Sequence, residues 1–207
     1  MVNTFLPYSD FKKCAKVLDY KRLLKQRVEA YQIVNTIQKK KRGEKCGFMN
    51  HPAVNMWMDY VEALKLYCNE MILETIKRGY KNNMELYKIK DNVEMPWWLK
   101  YDHILYSHQS SLLRKNPKHY IKYFKDLPDE YRYEGNVWIT HRTDKEIIKI
   151  KNYLNGKLDK DPFTISQIAY KLQKPKNVKI EYYIVRKNGF IYHYPTYKSD
   201  IKIEICD

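Results

Sequence analysis

Apolar residues recur at steps of three and four through the first third of the chain. Leu23, Leu24, Val28, Tyr31, Val34 and Ile37 share one face of a helix. Arg22, Gln26 and Glu29 form a polar stripe beside that face. The basic, glycine-containing run KKKRGEKCG, residues 39–47, should stop the helix. A longer helix is expected from His51 or Pro52, with Val54, Trp57, Val61, Leu64, Cys68, Met71 and Ile72 inward. It ends at KRGY, where Gly79 suits a C-terminal cap. A loop then runs through MPWWL. A third helix is expected over Ser107 to Lys115; Pro117 interrupts it, and a short helix resumes near Tyr120.

The pattern changes near residue 140. DKEIIKIKNYLNG, residues 144–156, reads as a helix closed by Asn-Gly, and FTISQIAYKLQ, residues 163–173, as a shorter one capped by Thr164 or Ser166. IEYYIVRKNGFIYHY, residues 180–194, reads as two strands joined at Asn188-Gly189. IKIEI, residues 201–205, alternates as a third strand. The expected fold is therefore mainly α, a three-helix part over 1–138 with a small α+β extension over 139–207. Helix, helix, hairpin is the order of a winged-helix unit. A plain appendage packed on the first part has the same order, and both readings fit.

Composition narrows the function classes. With 44% apolar residues in 207, the chain can bury a core rather than remain a disordered tail. Its net charge of +15 points to a polyanion: DNA, RNA or an anionic membrane surface. No apolar run approaches the roughly 20 residues that span a bilayer. The opening MVNTFLPYSDF lacks a basic segment followed by an apolar one, so an intracellular or virus-encoded protein is expected, not a secreted one. Cys14, Cys46, Cys68 and Cys206 form no CxxC pair and read as free thiols. His103, His108 and His119 have no metal-ligand spacing, so neither metal nor other cofactor is expected. A monomer is expected.

Three stretches carry a family resemblance. RLLKQRVEAYQIVNTIQK (22–39), AVNMWMDYVEALKLYCNEMILETIKRGY (53–80) and DHILYSHQSSLLRKNPKHY (102–120) resemble, in order and spacing, the helices of pyrimidine-dimer DNA glycosylases, the endonuclease V-like enzymes. NTFLPYSDF and NHPAVNMW are similar to a bacterial and viral branch grouped with them. The resemblance covers residues 2–135 and none of the tail. It implies an endonuclease V-like helical fold, duplex DNA as partner and Glu29 as the catalytic glutamate. It also implies the N-terminal amine as the nucleophile of a combined glycosylase and AP lyase.

The chemistry suits those groups. Loss of the base builds positive charge on the deoxyribose, which a carboxylate stabilises. An amine attacking C1′ gives an imine, from which β-elimination cuts the strand. An α-amine is a free nucleophile near neutral pH to a far greater extent than lysine. Val2 is small enough to permit removal of Met1, which puts the amine on Val2; a retained Met1 carries it one residue further out. Lys25 and Arg22, at i−4 and i−7, favour the ionised form of Glu29.

Each candidate has a plainer reading. Glu29 can be a surface partner of Lys25. Arg22, Lys25, Gln26 and Arg27 can line DNA or form a solvated face, with Arg27 nearest the apolar side. Lys40 and Arg42 in the first loop, and Arg114 and Lys115 after the third helix, can contact phosphates or serve solubility. His108 can face DNA or be a satisfied buried histidine. Trp97-Trp98 can stack on a base or anchor a loop. Where phage members of the family carry flanking arginines, this chain has Asn3, Val28 and Gln32, which weakens the case for dimer specificity. The expected function is thus a DNA glycosylase/AP lyase acting on damaged pyrimidines in duplex DNA. The alternatives are a non-catalytic DNA-binding or architectural protein of the same fold, and an RNA-binding accessory protein.

Overall fold

The computed structural model describes residues 3–127, 144–160, 181–187 and 190–196. These residues are mainly helical. An extended segment leads into α1 (Phe11–Val17), followed by α2 (Tyr20–Lys41), α3 (Pro52–Met56), α4 (Val61–Lys77) and a 3-10 turn (Trp97–Lys100). Then come α5 (Asp102–Lys115), α6 (Pro117–Tyr120) and α7 (Asp144–Leu154). Strands β1 (Glu181–Lys187) and β2 (Phe190–Thr196) pair antiparallel, with Ile184 opposite His193. Their connecting Asn188-Gly189 lies outside the described residues. So do the expected helix at 163–173, the strand at 201–205 and the 138/139 boundary.

The core forms where α2 and α1 pack on α4. Leu23, Ile33, Val34 and Ile37 of α2 meet Leu64, Tyr67, Met71 and Ile72 of α4 in one apolar cluster, which Leu6 of the extended segment and Leu18 join. Helix ends are set by local chemistry. Asp10 and Asp19 cap α1 and α2, accepting from the amides of Lys13 and Arg22. Gly43, Gly79 and Gly156 end α2, α4 and α7 in the left-handed conformation. At Gly79 the Tyr80 amide reaches back to Thr75 O and the Gly79 amide to Ile76 O, the double closure of a Schellman motif.

The α1–α2 corner is built from buried and half-buried polar groups. Arg78, ion-paired to Glu74 at 2.7 Å, donates to the carbonyls of Ala15, Lys16 and Leu18. His119 Nε2 lies 2.9 Å from Val17 O. Together they cover the carbonyls left open at the end of α1. Tyr120 OH meets both the Asp19 amide (3.0 Å) and its carboxylate (2.9 Å). Burial works against the charge on Asp19. The Arg22 amide, the Tyr120 hydroxyl and the Arg22 guanidinium outweigh it and hold the carboxyl below its usual range.

Three expectations need correction. Val28 and Tyr31 are exposed, whereas Gln26, Glu29, Ala30 and Ile33 face inward. The inner face of α2 is rotated towards the polar stripe because that stripe holds the extended segment. The second helix is broken at Trp57–Tyr60 into α3 and α4. There the Trp57 indole donates to Thr4 Oγ1 and packs edge-on against Trp98, 5.0 Å away, a tertiary demand that periodicity does not encode. The third helix starts at Asp102, five residues earlier than expected, because α5 buries polar residues (His103, Ser107, His108, Ser110, Ser111) that hydropathy assigns to the surface.

Replacing Arg78 by Met keeps its stem and removes its donors from three carbonyls. We expect a loss of about 2 kcal/mol in urea unfolding, in the range of hydrogen bonds made by charged groups. An unchanged midpoint would mean that water replaces the guanidinium without cost.

Candidate active site

The extended segment runs through the core without a strand partner, and side chains take that role. The Gln26 amide donates to Asn3 O (3.0 Å) and accepts from the Phe5 amide (2.7 Å). It thereby bonds residues i and i+2 as a neighbouring strand would. The Tyr67 hydroxyl lies 3.0 Å from Phe5 O and 2.7 Å from Gln26 Oε1. The Leu6 amide donates to His108 Nδ1 (3.1 Å), and Gln109 donates to Pro7 O (2.8 Å). Every one of these partners comes from α2, α4 or α5. Three helices thus fix the path of the chain's first turn-free stretch.

Glu29 closes this network. Its Oε2 accepts from the Asn3 amide (3.2 Å) and from Gln26 Nε2 (2.8 Å), while Lys25 Nζ stands 3.4 Å from Oε1. The carboxylate is only 6% exposed although it lies on the polar stripe. Each contact it makes is with a donor. Oε1 faces the exposed Lys25, so this oxygen has the solvent side. The surface-pair reading of Glu29 is therefore incomplete: Lys25 is its outer partner, and the main chain of Asn3 its inner one.

The other sequence candidates are distributed as follows. Val2 lies outside the described residues. Arg22 is half-buried and paired with the N-cap Asp19 at 3.4 Å. Gln26 is buried at 1% exposure with its amide fully engaged, which corrects its assignment as a DNA contact. Arg27 is half-buried and donates to Asn82, the structural arginine that its position near the apolar side suggested. Lys40 is half-buried and donates to Met49 O and Asn55 Oδ1. Arg42 is exposed and paired with Glu44. Arg114 is half-buried; Lys115 is exposed, its ammonium 5.9 Å from the Phe5 ring.

His108 is buried and holds the chain's start instead of lining a DNA surface. Because Nδ1 accepts from Leu6, the ring proton sits on Nε2, which has no hydrogen-bond partner among the described residues. Burial lowers its pKa to about 3, so the ring is neutral. Trp98 is likewise buried against Trp57 and Tyr60 and cannot stack on a base. Trp97 is half-buried, with Lys151 over its ring at 5.0 Å. Asn3, Tyr67 and Gln109 escaped sequence reasoning. For Tyr67 and Gln109 the one available signal was a polar residue at an inward helical position.

No group of His, Cys, Asp or Glu among the described residues is arranged to hold a metal ion. No helix among them is long and apolar enough to cross a membrane. Cys14, Cys46 and Cys68 are free thiols, and burial pushes Cys68 up to about 12, away from nucleophilic use.

Residues 2–88 match the family model described as pyrimidine dimer DNA glycosylase. The matched span contains Asn3, Gln26, Glu29 and Tyr67, and it ends before the third helical region of the resemblance. No curated protein and no solved structure matches the chain.

The neutral His108 has a consequence for acid stability. Below pH 6.5 the unfolded chain takes a proton on this ring and the folded chain does not, until about pH 3. Stability should therefore fall with decreasing pH in that window, by up to about 1.4 kcal/mol per unit from this group. His108→Asn keeps an acceptor for the Leu6 amide and should remove that slope. Unfolding midpoints between pH 6.5 and 4 that drop equally in both proteins would contradict the assignment.

Proposed function

We propose that this protein is a DNA glycosylase with AP lyase activity on damaged pyrimidines in duplex DNA, using the α-amine of Val2 once Met1 is removed. The observation that carries the reading is the Asn3 amide bonded to Glu29 at 3.2 Å. Val2 is the residue joined directly to that amide, one Cα step of about 3.8 Å away. Asn3, the residue that follows Val2, is thus held against a buried carboxylate on a basic helix. The match of residues 2–88 to the pyrimidine dimer DNA glycosylase model supports the same reading.

The amine lone pair attacks C1′, and the glycosidic bond breaks with its electron pair going to the base, which leaves after protonation. Loss of a proton from nitrogen and opening of the sugar ring give the imine. Removal of a C2′ proton then expels the 3′-phosphate, and water releases the amine. Glu29 stabilises the cationic sugar through its Oε1 side, while Oε2 stays bonded to Asn3 and Gln26. Lys25 and Arg22 supply positive charge around the scissile strand.

One feature favours the non-catalytic alternative: the surface positions flanking Glu29 hold exposed Val28 and Gln32 rather than arginines. Borohydride trapping on an abasic duplex separates the readings. The enzyme gives a covalent adduct that maps to the first residue; the architectural protein binds with a salt-dependent affinity and gives none. Glu29→Gln retains an oxygen for Asn3 and Gln26, so we expect binding within about twofold of wild type and cleavage down by about 100-fold or more. Equal loss of binding and cleavage would make Glu29 structural.

A further inference from the structure

The loop between α2 and α3 presents one large ring to solvent. Phe48 is 62% exposed, more than any other large apolar side chain among the described residues. Its backbone is left-handed, with φ of 65°, in the region that disfavours side chains with a Cβ. A glycine there would relieve the strain, and Gly47 stands next to it. The strain is held by neighbours. The His51 amide bonds Phe48 O at 2.9 Å, Lys40 Nζ bonds Met49 O at 3.1 Å, and the Cys46 amide meets Met49 Sδ at 3.2 Å. Lys40 also reaches Asn55, which ties the loop to α3. The loop is thus built to hold an aromatic ring outwards in a costly conformation, a pattern associated with function.

The surroundings specify what the ring meets. Between Lys39 and His51 the chain carries five Lys or Arg and one acid. An apolar tip on a cationic loop is the chemistry of a side chain that enters a base step while lysines grip the flanking phosphates. Trp97-Trp98, the other aromatic candidate, is unavailable because Trp98 is buried.

We infer that Phe48 is a wedge that inserts between stacked bases of duplex DNA and kinks it away from the reacting sugar. The choice of duplex DNA, and the placing of the wedge relative to Glu29, rest on the function proposed above. The loop folds back along α2: Cys46 Sγ lies 3.9 Å from Thr36 O and Lys40 holds Met49 O, so the residues around Phe48 sit about 10 to 17 Å along the helix axis from Glu29. That is the length of about three to five base-pair steps. The wedge therefore acts on the flank of the lesion and bends the duplex over α2.

The test is a duplex series carrying one abasic site and one 2-aminopurine, placed at successive steps out to eight on either side. Wild type should raise 2-aminopurine emission severalfold at a step displaced from the abasic site. Phe48→Ala and Phe48→Gly should remove most of that rise, and Phe48→Trp should restore it. Phe48→Gly should also melt at or above the wild-type temperature, since it relieves the left-handed strain. A rise that Phe48→Ala leaves unchanged overturns the inference, as does a wild-type protein that raises emission at no position. Borohydride trapping on the same duplexes separates the two claims. An adduct without a Phe48-dependent rise sinks the wedge alone, and a Phe48-dependent rise without an adduct sinks the lyase and keeps the wedge.

Discussion

The structure turns on one side-chain amide. Gln26 holds Asn3 O, the Phe5 amide and Glu29 Oε2 together, in a site that water does not reach. An extended segment buried among helices has main-chain polar groups with no ladder to join, and each one left open costs about 1–3 kcal/mol. Gln26 and Tyr67 satisfy Asn3 O and both polar groups of Phe5, and His108 and Gln109 continue the work at Leu6 and Pro7. Because the same amide orients the carboxylate, the start of the chain and the acid cannot shift independently.

That arrangement needs a rigid frame, and the α1–α2 corner supplies it. The chain must turn back sharply after Val17 to bring α2 under the extended segment. Carbonyls exposed by that reversal are taken by Arg78 from α4 and by His119 from α6, and the start of α2 is locked by Asp19 and Tyr120. These contacts span 60 to 102 residues of sequence separation. They join the beginning of the chain to α4 and α6 through charged and polar groups instead of apolar ones. A highly basic protein has few spare carboxylates, and this one places two of them, Asp19 and Glu74, inside the corner.

Much of the helical frame could be read in the chain. Gly79 as a cap, Pro117 as an interruption and the closure of α7 at Asn155-Gly156 rest on backbone chemistry that neighbouring residues determine. The inner face of α2 could not be read that way. Hydropathy ranks Val28 and Tyr31 above Gln26 and Glu29, yet the latter pair faces in, because the segment they hold lies more than 20 residues away in sequence. For His108 both a DNA-facing and a buried, satisfied role could be read, and the structure makes it an acceptor for Leu6 across 102 residues. Glu29 was found through resemblance to a family, and its inner partner, Asn3, had no sequence signal at all. Phe48 was passed over because its conformation, not its identity, sets it apart.

Asn3 to Leu6 are pinned to the surrounding helices and do not trail in solvent. Amide hydrogen exchange at Asn3, Phe5 and Leu6 tests it most directly. All three should exchange as slowly as amides in the middle of α2 and α4, with Asn3 and Phe5 released when Gln26 is replaced by Leu. Exchange of these three amides at the rate of an unstructured chain would contradict it.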